Sequence, residues 1–334
     1  MRTLYTGVVL PKLLYAADVW NRPIRRLPGK KRPTGTVGFT GKMTKIQRIA
    51  ALAATGAMRT TATDTLEAHA NLLPISLQIN KFCHRAAIRY ASLPKSHPLH
   101  KPVQRAKKPP RVYKHQLHDM LDAFKIDPGK MEKAETAARK PGWKAPWEVE
   151  VARSREDGIK ADKADRTGLK VYSDGSDIDG GVGAGAVLYR GGREVKRVGY
   201  YLGKSEEHTV YEAELVGMIM GLEMIQREER VWRASLCLDN QAAIQATAKG
   251  STEDAAQSIV LEVEHAYNQL KSKHGEAKIK ICWVPGHEGV VGNEASDERA
   301  KEAARGGGSP PDDLPHFLRS TLPLSSTAAK AAYK

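Results

Sequence analysis

From Leu169 onward the chain carries a fixed order of strand-like and helix-like segments, and this order limits its fold more than any other feature. The strand patterns lie at 169–175, 181–190, 193–203, 233–239 and 277–286. The helical patterns lie at 208–226, 241–248, 253–272 and 293–305. Because three strands come first and helices and strands then alternate, we expect an α/β fold with a mixed five-stranded sheet flanked by helices. Gly191-Gly192 between the second and third strands is typical of a tight hairpin turn.

Four acidic residues stand in short motifs on these elements: Asp174 in YSDGS, Glu214 in AEL, Asp239 in LDNQ and Asp297 in NEASDERAK. Taken singly, each has an ordinary explanation as a turn residue, a helix acid, a helix cap or an i, i+4 ion pair with Lys301. Taken together they predict a site. Asp174 ends the first predicted strand and Asp239 ends the fourth, and open sheets tend to place ligands at strand ends.

The other two acids lie on helix edges that permit close packing. Glu214 is at the margin of the apolar stripe of its helix, with glycines three and seven residues further along the same edge. Asp297 shares one face of the last helix with Ala300 and Ala304. Four converging carboxylates repel one another and need cations, and an all-oxygen set of ligands suits Mg²⁺ or Mn²⁺. Two such ions about 3.5–4 Å apart would clamp the attacking and leaving oxygens of a displacement at phosphorus.

These motifs in this order, with WVPGH at 283–287 before the last one, resemble the ribonuclease H family over about residues 169–305. The AEL motif and the spacing from WVPGH to Asp297 are similar to the ribonuclease H domain of non-LTR (LINE-type) retrotransposons. The resemblance implies a ribonuclease H-like fold and a metal-dependent endonuclease that hydrolyses the RNA strand of RNA–DNA hybrids. It also implies products with 3′-hydroxyl and 5′-phosphate ends.

The resemblance assigns the four acids to two Mg²⁺ ions, with Mn²⁺ as the alternative metal. Asp174 would bridge both ions. Glu214 and Asp239 would complete the site on the leaving-group side, and Asp297 would complete the site that activates the attacking water.

Four further residues receive roles from the same resemblance. His287 falls where the family has a mobile histidine that helps proton transfer or product release; its ordinary explanation is a turn histidine after Pro285-Gly286. Asn240, Gln241 and Asn293 match positions that contact the sugar edge of the hybrid or orient the site. Contacts to 2′-hydroxyls would distinguish the hybrid from a DNA duplex.

The sequence departs from the family pattern at substrate-contacting positions. Tyr211 stands three residues before Glu214, where bacterial relatives carry an asparagine that contacts the hybrid. No basic, tryptophan-rich protrusion is visible between 241 and 276, and residues 169–334 carry 20 Lys/Arg against 24 Asp/Glu. We therefore expect substrate affinity to depend on another part of the chain.

The positive charge lies in the N-terminal half. Residues 1–168 carry 33 Lys/Arg against 14 Asp/Glu, and residues 1–111 carry 21 against 3. Such a stretch favours nucleic acid through the release of counterions. The cluster RRLPGKKR at 25–32 fits either part of this surface or a nuclear localisation signal.

Helical patterns at 1–20 and 43–93 flank a basic Gly/Pro-rich stretch at 22–41. The region up to about residue 100 resembles the segment that follows the polymerase palm in the same retroelement polyproteins, so the chain is expected to be the C-terminal part of a longer reading frame. From the N-terminus, we expect a basic helical region at 1–100, a largely disordered linker at 101–167 with a short helix at 116–125, a catalytic domain at 168–306 and a flexible tail at 307–334.

Several classes of protein are disfavoured. No apolar run has the length of a bilayer span, and no small-residue cleavage site follows the first apolar stretch. Cys83, Cys237 and Cys282 form no CxxC pair, so we expect reduced core thiols in a nuclear or cytoplasmic protein that is not secreted. GVGAG at 181–185 lies inside a strand and opens no helix, so it does not indicate a dinucleotide loop or a small-molecule cofactor.

Two other functions fit parts of the sequence. The first is a nucleic-acid-binding remnant of a retrotransposon protein whose nuclease is silent, and the intact acidic set argues against it. The second is a nuclease of the same fold that acts on DNA exonucleolytically or as an integrase, and the WVPGH segment disfavours it.

Overall fold

The structure is a computed structural model of the 334-residue chain, and it describes residues 1–26, 28–29, 31–109, 114–134, 143–249 and 256–333. The chain divides into two compact units, one formed by Met1–Met131 with Tyr333 and the other by Glu132–Ala332. Within the described ranges, no helix combines the length and the apolar character needed to cross a bilayer.

The first unit is built from helices. They are α1 (Arg2–Leu4), a π-helical turn (Tyr5–Val9), α2 (Leu10–Leu13), α3 (Ala17–Trp20), α4 (Val37–Thr55), α5 (Thr63–His69), α6 (Ile75–Ala91), α7 (His100–Ala106) and α8 (Gln116–Ala123). Met43, Ile79 and Cys83 belong to one small core of this unit. The helices predicted within 1–20 and 43–93 are confirmed. Helix α4 begins at Val37, inside the basic Gly/Pro-rich stretch at 22–41.

The second unit contains a six-stranded mixed sheet. Its strands are β1 (Glu148–Glu150), β2 (Leu169–Ile178), β3 (Gly181–Arg190), β4 (Arg193–Lys204), β5 (Arg233–Leu238) and β6 (Lys278–Trp283). The strand order is β1-β6-β5-β2-β3-β4; β2, β3 and β4 pair antiparallel, and the other pairs are parallel. The mixed α/β fold is confirmed, but the predicted number of five strands is wrong. The sixth strand was missed because its three residues are all exposed and carry no alternating pattern.

The second unit also contains helices. They are α9 (Arg155–Ala164), α10 (Val210–Arg227), α11 (Gln241–Ala248), α12 (Gln257–Lys273), α13 (Val291–Ala304) and α14 (Ser326–Ala332), with 3-10 turns at Pro311–Asp313 and His316–Arg319. The start of α10 is fixed by a capping box in which Thr209 and Glu212 exchange side chain–backbone hydrogen bonds. The apolar stripe predicted for this helix is buried from Leu215 to Ile225, as expected.

Two stretches predicted to be disordered are ordered. Residues 101–167 contain most of α7 together with α8, β1 and α9, although 110–113 and 135–142 lie outside the described residues. The helix predicted at 116–125 is confirmed. The tail after residue 306 buries Leu314, Leu318 and Leu322 in the main core. Composition suggested disorder because the apolar residues are few and widely spaced, yet each of these three leucines reaches the core.

The close approach of α13 to the sheet explains the GVGAG stretch. A Cβ at Gly183 would lie 2.2 Å from the Ala304 nitrogen, and one at Gly185 would lie 2.5 Å from the Ala300 nitrogen. The backbone of α13 thus packs directly on β3. Because Gly185 is the cross-strand partner of Asp174, this packing sets the distance between α13 and the Asp174 region.

We expect Gly185→Ala to lower the free energy of unfolding by about 2 kcal/mol, because the added methyl group overpacks the β3–α13 contact. Urea unfolding of the full chain measures this loss. Gly168→Ala is the matched control, since a Cβ at Gly168 meets no atom within 4 Å. Equal unfolding midpoints for the two variants would contradict this account of the helix–sheet contact.

Candidate active site

Three of the four predicted acids converge in the second unit. Asp174, Glu214 and Asp239 each offer a carboxylate oxygen, and these oxygens all lie within 4.8 Å of one another. Asp174 and Glu214 are buried, with exposed fractions of 6% and 3%, and Asp239 is half-buried. The three side chains come from β2, from α10 and from the residue that follows β5, so the tertiary fold brings them together.

The position of Asp174 corrects one expectation. Asp174 does not end its strand, because β2 continues to Ile178 and remains paired with β3 along its whole length. The parallel pairing of β2 with β5, however, ends at Tyr172 and Cys237. Asp174 and Asp239 therefore both lie just beyond the point where these two strands separate, and the open space between them holds the acidic cluster.

The packing of α10 against the sheet delivers Glu214. A Cβ at Gly217 would lie 3.1 Å from the Ser173 Cβ, and a Cβ at Gly221 would lie 2.6 Å from Leu236 Cδ1. These two glycines let the helix lie close to β2 and β5, as the sequence predicted. A Cβ at Gly175 would in turn lie 2.8 Å from the Glu214 nitrogen, so β2 and α10 are in contact at the site.

Asp297 lies beside the three-acid cluster, and its carboxylate accepts a hydrogen bond from Lys301 Nζ at 2.7 Å. This is the i, i+4 pair that the sequence offered as an ordinary explanation. The charge of Asp297 nevertheless raises the pKa of both Asp174 and Asp239, which places it within electrostatic reach of the cluster. The ion pair and the proximity to the cluster coexist.

Burial and mutual repulsion keep these acids from ionising easily. Burial, followed by the charges of Asp239 and Asp297, raises the pKa of Asp174 to about 8. A hydrogen bond from the Gly175 N–H at 2.8 Å partly offsets it. Burial, followed by the charges of Asp174 and Asp239, likewise raises the pKa of Glu214 well above its ordinary value.

The two predicted asparagines lie next to the acids. The Asn240 side chain lowers the pKa of Glu214, and its Oδ1 accepts a hydrogen bond from the Ala243 N–H at 3.1 Å, which caps α11. Asn293 is buried and lowers the pKa of Asp239, which burial has raised. The cap predicted for Asp239 is thus provided by Asn240. Gln241, also predicted here, is the first residue of α11 and is half-buried.

The loop after β6 forms the rim of the site. His287 is exposed and has a left-handed backbone with φ of 56°, and its proximity lowers the pKa of Asp239. Sequence reasoning missed two residues here. A Cβ at Gly286 would lie 2.3 Å from Asp239 Oδ2, so only glycine fits, and Trp283 Nε1 donates to the Asp239 carbonyl at 2.8 Å. The signal for both was present in the WVPGH motif.

The chemistry of the cluster fits a divalent cation. Glu214 Oε2 is buried and accepts no hydrogen bond from any described residue, and the same holds for Asn293 Oδ1. A buried carboxylate oxygen without a donor is costly unless a proton or a cation neutralises it. The three acids provide only oxygen ligands, which suits Mg²⁺ or Mn²⁺ better than metals that prefer nitrogen or sulfur.

Comparison with known proteins agrees with this geometry. Residues 166–305 match the family model for RNase H, so this part of the chain is a ribonuclease H domain. No curated protein matches the chain significantly.

Solved structures of ribonucleases H are similar to part of the chain. RNase H1 of Halobacterium salinarum NRC-1 has 22% identity and a TM-score of 0.33, over 41% of this chain and 98% of its own. The N-terminal RNase H domain of Rv2228c from Mycobacterium tuberculosis, solved as a fusion with maltose-binding protein, has 19% identity and a TM-score of 0.35, over 42% and 96%. LC11-RNase H1, solved in complex with an RNA/DNA hybrid, has 17% identity and a TM-score of 0.33, over 41% and 97%.

The raised pKa of Asp174 predicts a stability that depends on pH and on metal. Its pKa is 3.8 for an unperturbed carboxyl and about 8 in the folded chain, so the metal-free folded state binds more protons between these pH values. The free energy of unfolding of the metal-free chain should therefore fall as the pH rises from about 4 to about 8. Asp174→Asn should remove part of this loss and stabilise the metal-free chain by about 2 kcal/mol at pH 8.

Thermal unfolding with and without Mg²⁺ measures both effects. Mg²⁺ should raise the melting temperature of the unchanged chain at pH 8, because the cation replaces protons on the acids, and it should not raise that of Asp174→Asn. A metal-free chain that becomes more stable between pH 5 and pH 8 would contradict the electrostatic account.

Proposed function

We propose that the ribonuclease H domain at residues 166–305 hydrolyses the RNA strand of RNA–DNA hybrids, with two divalent cations held by its acidic residues. The observation that carries this proposal is the convergence of Asp174, Glu214 and Asp239 within 4.8 Å, at the point where β2 and β5 separate. The orphaned oxygen of Glu214 supports the same conclusion, because such an oxygen is a natural ligand for a hard cation.

Some side chains of the site would bind the cations, and others would orient the acids. Asp174, Glu214 and Asp239 would hold the cations on one side, and Asp297 would complete the second site. When bound, such cations stabilise negative charge at phosphorus and lower the pKa of water. Orientation of the acids and proton transfer would depend on the protein's own groups.

Neighbouring groups keep the carboxylates in place. Asn240 and Asn293, which lower the pKa of Glu214 and Asp239, would orient these two acids. The Gly175 N–H fixes Asp174 in the same way. His287, exposed on the rim and close to Asp239, is placed to accept or release a proton as substrate enters or product leaves.

We expect Asp174→Asn to reduce cleavage of a labelled RNA–DNA hybrid by at least about a thousandfold, because the variant loses one charge at the centre of the cluster. Hybrid binding in Ca²⁺ should survive. The matched control is Asp177→Asn, which removes an exposed acid three residues further along the same strand. Cleavage is measured with the label on either strand, and with a DNA duplex for comparison.

The same assay separates the alternatives. Equal cleavage by Asp174→Asn and the unchanged chain would overturn the assignment of the site. Cleavage of the DNA duplex at a rate equal to that of the hybrid would favour a DNA nuclease. Binding of the hybrid without any metal-dependent turnover would favour the silent remnant.

We further propose that the basic first unit contributes to hybrid affinity, since residues 166–305 carry 18 Lys/Arg against 22 Asp/Glu. Arg26, Lys31 and Arg32 are exposed in the described part of that unit. Their combined replacement by Gln should weaken hybrid binding at low salt and reduce the slope of log K against log salt by about 2.7, the value for three lost phosphate contacts. An unchanged slope in binding measured over a series of salt concentrations would refute this role.

The motif spacing also supports an origin in a non-LTR retroelement polyprotein, with residues 1–100 following a reverse transcriptase palm. The gene's upstream sequence tests this origin. A continuous reading frame that encodes a polymerase palm before Met1 is the expected result, and an unrelated upstream sequence would count against it.

A further inference from the structure

A mostly cationic groove lies at the opposite end of the parallel strands from the acids. A groove of about 520 Å³ opens there, between the residues that precede β2, β5 and β6. Its cationic lining residues are Arg166, Arg190, Arg230, Arg233 and Lys278, and its acidic lining residues are Glu228 and Glu276. We call this feature the Trp232 groove after the side chain at its rim. Its lining has a net charge of +3 within a domain whose net charge is −4.

Most of this positive charge has no internal partner. Arg190 forms an ion pair with Glu228. Among the described residues, none forms an ion pair with Arg166, Arg230, Arg233 or Lys278. The groove therefore presents several solvated cations that remain available to an anionic ligand.

The pairing of β5 with β6 concentrates this charge. Arg233 and Lys278 are direct partners in the parallel ladder, and both are exposed. Like charges placed opposite each other in a sheet are destabilising. A bound anion such as a phosphate would remove this repulsion, and a purely structural role gives no reason to place two cations together.

Trp232 adds an aromatic surface to the cations. It is 75% exposed, and it is the only exposed residue among the five tryptophans, all of which lie in the described ranges. Its backbone is fixed, because the preceding Val231 is buried and the Trp232 carbonyl accepts from the Lys278 N–H at 2.9 Å. The indole ring is thus exposed to solvent from a rigid position.

We propose that the Trp232 groove binds single-stranded nucleic acid, with a base stacked on Trp232 and the adjacent phosphates held by Arg233, Lys278 and Arg230. Aromatic stacking combined with cationic contacts to the backbone is how proteins bind single strands without sequence preference. The bases of a duplex are already stacked on one another, so an exposed indole favours an unpaired strand. Such a strand would be a single-stranded extension of a hybrid or a separate RNA.

Binding of a fluorescently labelled oligouridine RNA of about 12 nucleotides to the full chain tests this proposal. The measurement is made in EDTA, so that cleavage plays no part. Trp232→Ala should raise the Kd about tenfold, and Trp232→Phe should keep most of the affinity because a ring remains for stacking. Since Trp232 is exposed, neither variant is expected to impair folding.

The salt dependence of RNA binding measures the contribution of the cationic side chains. Arg233→Ala combined with Lys278→Ala should reduce the slope of log K against log salt by about 1.4, the value for two lost contacts to a single strand. The matched control combines Lys196→Ala with Arg197→Ala, which changes the net charge equally but removes cations already paired with Asp313 and Glu194. The slope of log K against log salt for this control should equal that of the unchanged chain.

Crosslinking separates the groove from the basic first unit. An oligonucleotide that carries 5-iodouridine should crosslink to Trp232, as located by mass spectrometry of the digested chain. Crosslinks confined to residues 1–131, together with an unchanged Kd for Trp232→Ala, would overturn the proposal. Competition by oligoglutamate that equals competition by unlabelled RNA, together with an unchanged Kd for Trp232→Ala, would also overturn the proposal. The groove would then be a general anion surface.

This proposal can fail independently of the nuclease assignment. Asp174→Asn is expected to bind the oligouridine with the Kd of the unchanged chain, because the acids lie at the other end of the strands. A chain that cleaves hybrids but shows no effect of Trp232→Ala on RNA binding would refute only the groove.

Discussion

Repulsion among three carboxylates held within 4.8 Å is the interaction on which the rest of the second unit depends. Asp174, Glu214 and Asp239 come from three different elements, and each element must be rigid enough to resist the repulsion. Close backbone contacts between the helices and the sheet supply this rigidity. Helix α10 lies against β2 and β5 at two glycines, and α13 lies against the glycines of β3. A side chain at any of these positions would move a helix that carries a site residue.

The same repulsion gives the site its chemistry. Without a cation, burial and mutual repulsion raise the pKa of Asp174 and Glu214 and so favour their protonated forms. A divalent cation would neutralise the same carboxylates and provide a partner for the orphaned oxygen of Glu214. Asn240 and Asn293 partly offset this rise by lowering the pKa of Glu214 and Asp239. Such a cluster is costly for stability without a counterion, and this cost is compatible with a site that binds cations.

The distribution of charge over the chain follows from the same requirement. A nuclease domain with many acids around its cations repels the phosphates of its substrate, and residues 166–305 are indeed net negative. Compensating positive charge then has to lie elsewhere. The first unit carries most of it, and the Trp232 groove concentrates a smaller amount at the end of the strands remote from the acids. The proposed cation binding and the proposed polyanion binding thus involve different surfaces.

The sequence by itself determined the order of strands and helices, the stripe of α10, the hairpin at Gly191-Gly192 and the candidate acids, because these are patterns of neighbouring residues. Only the tertiary structure decided what depends on distant parts of the chain. The short edge strand β1 exists because β6 pairs with it, and the tail is ordered because three leucines reach the core. Asp174 lies within its strand, and its position at the site depends on where β5 ends its pairing. The WVPGH motif contains Gly286, but only the structure shows that Gly286 contacts Asp239. The pairing of Arg233 with Lys278 was equally beyond local patterns, since it joins segments that are distant along the chain.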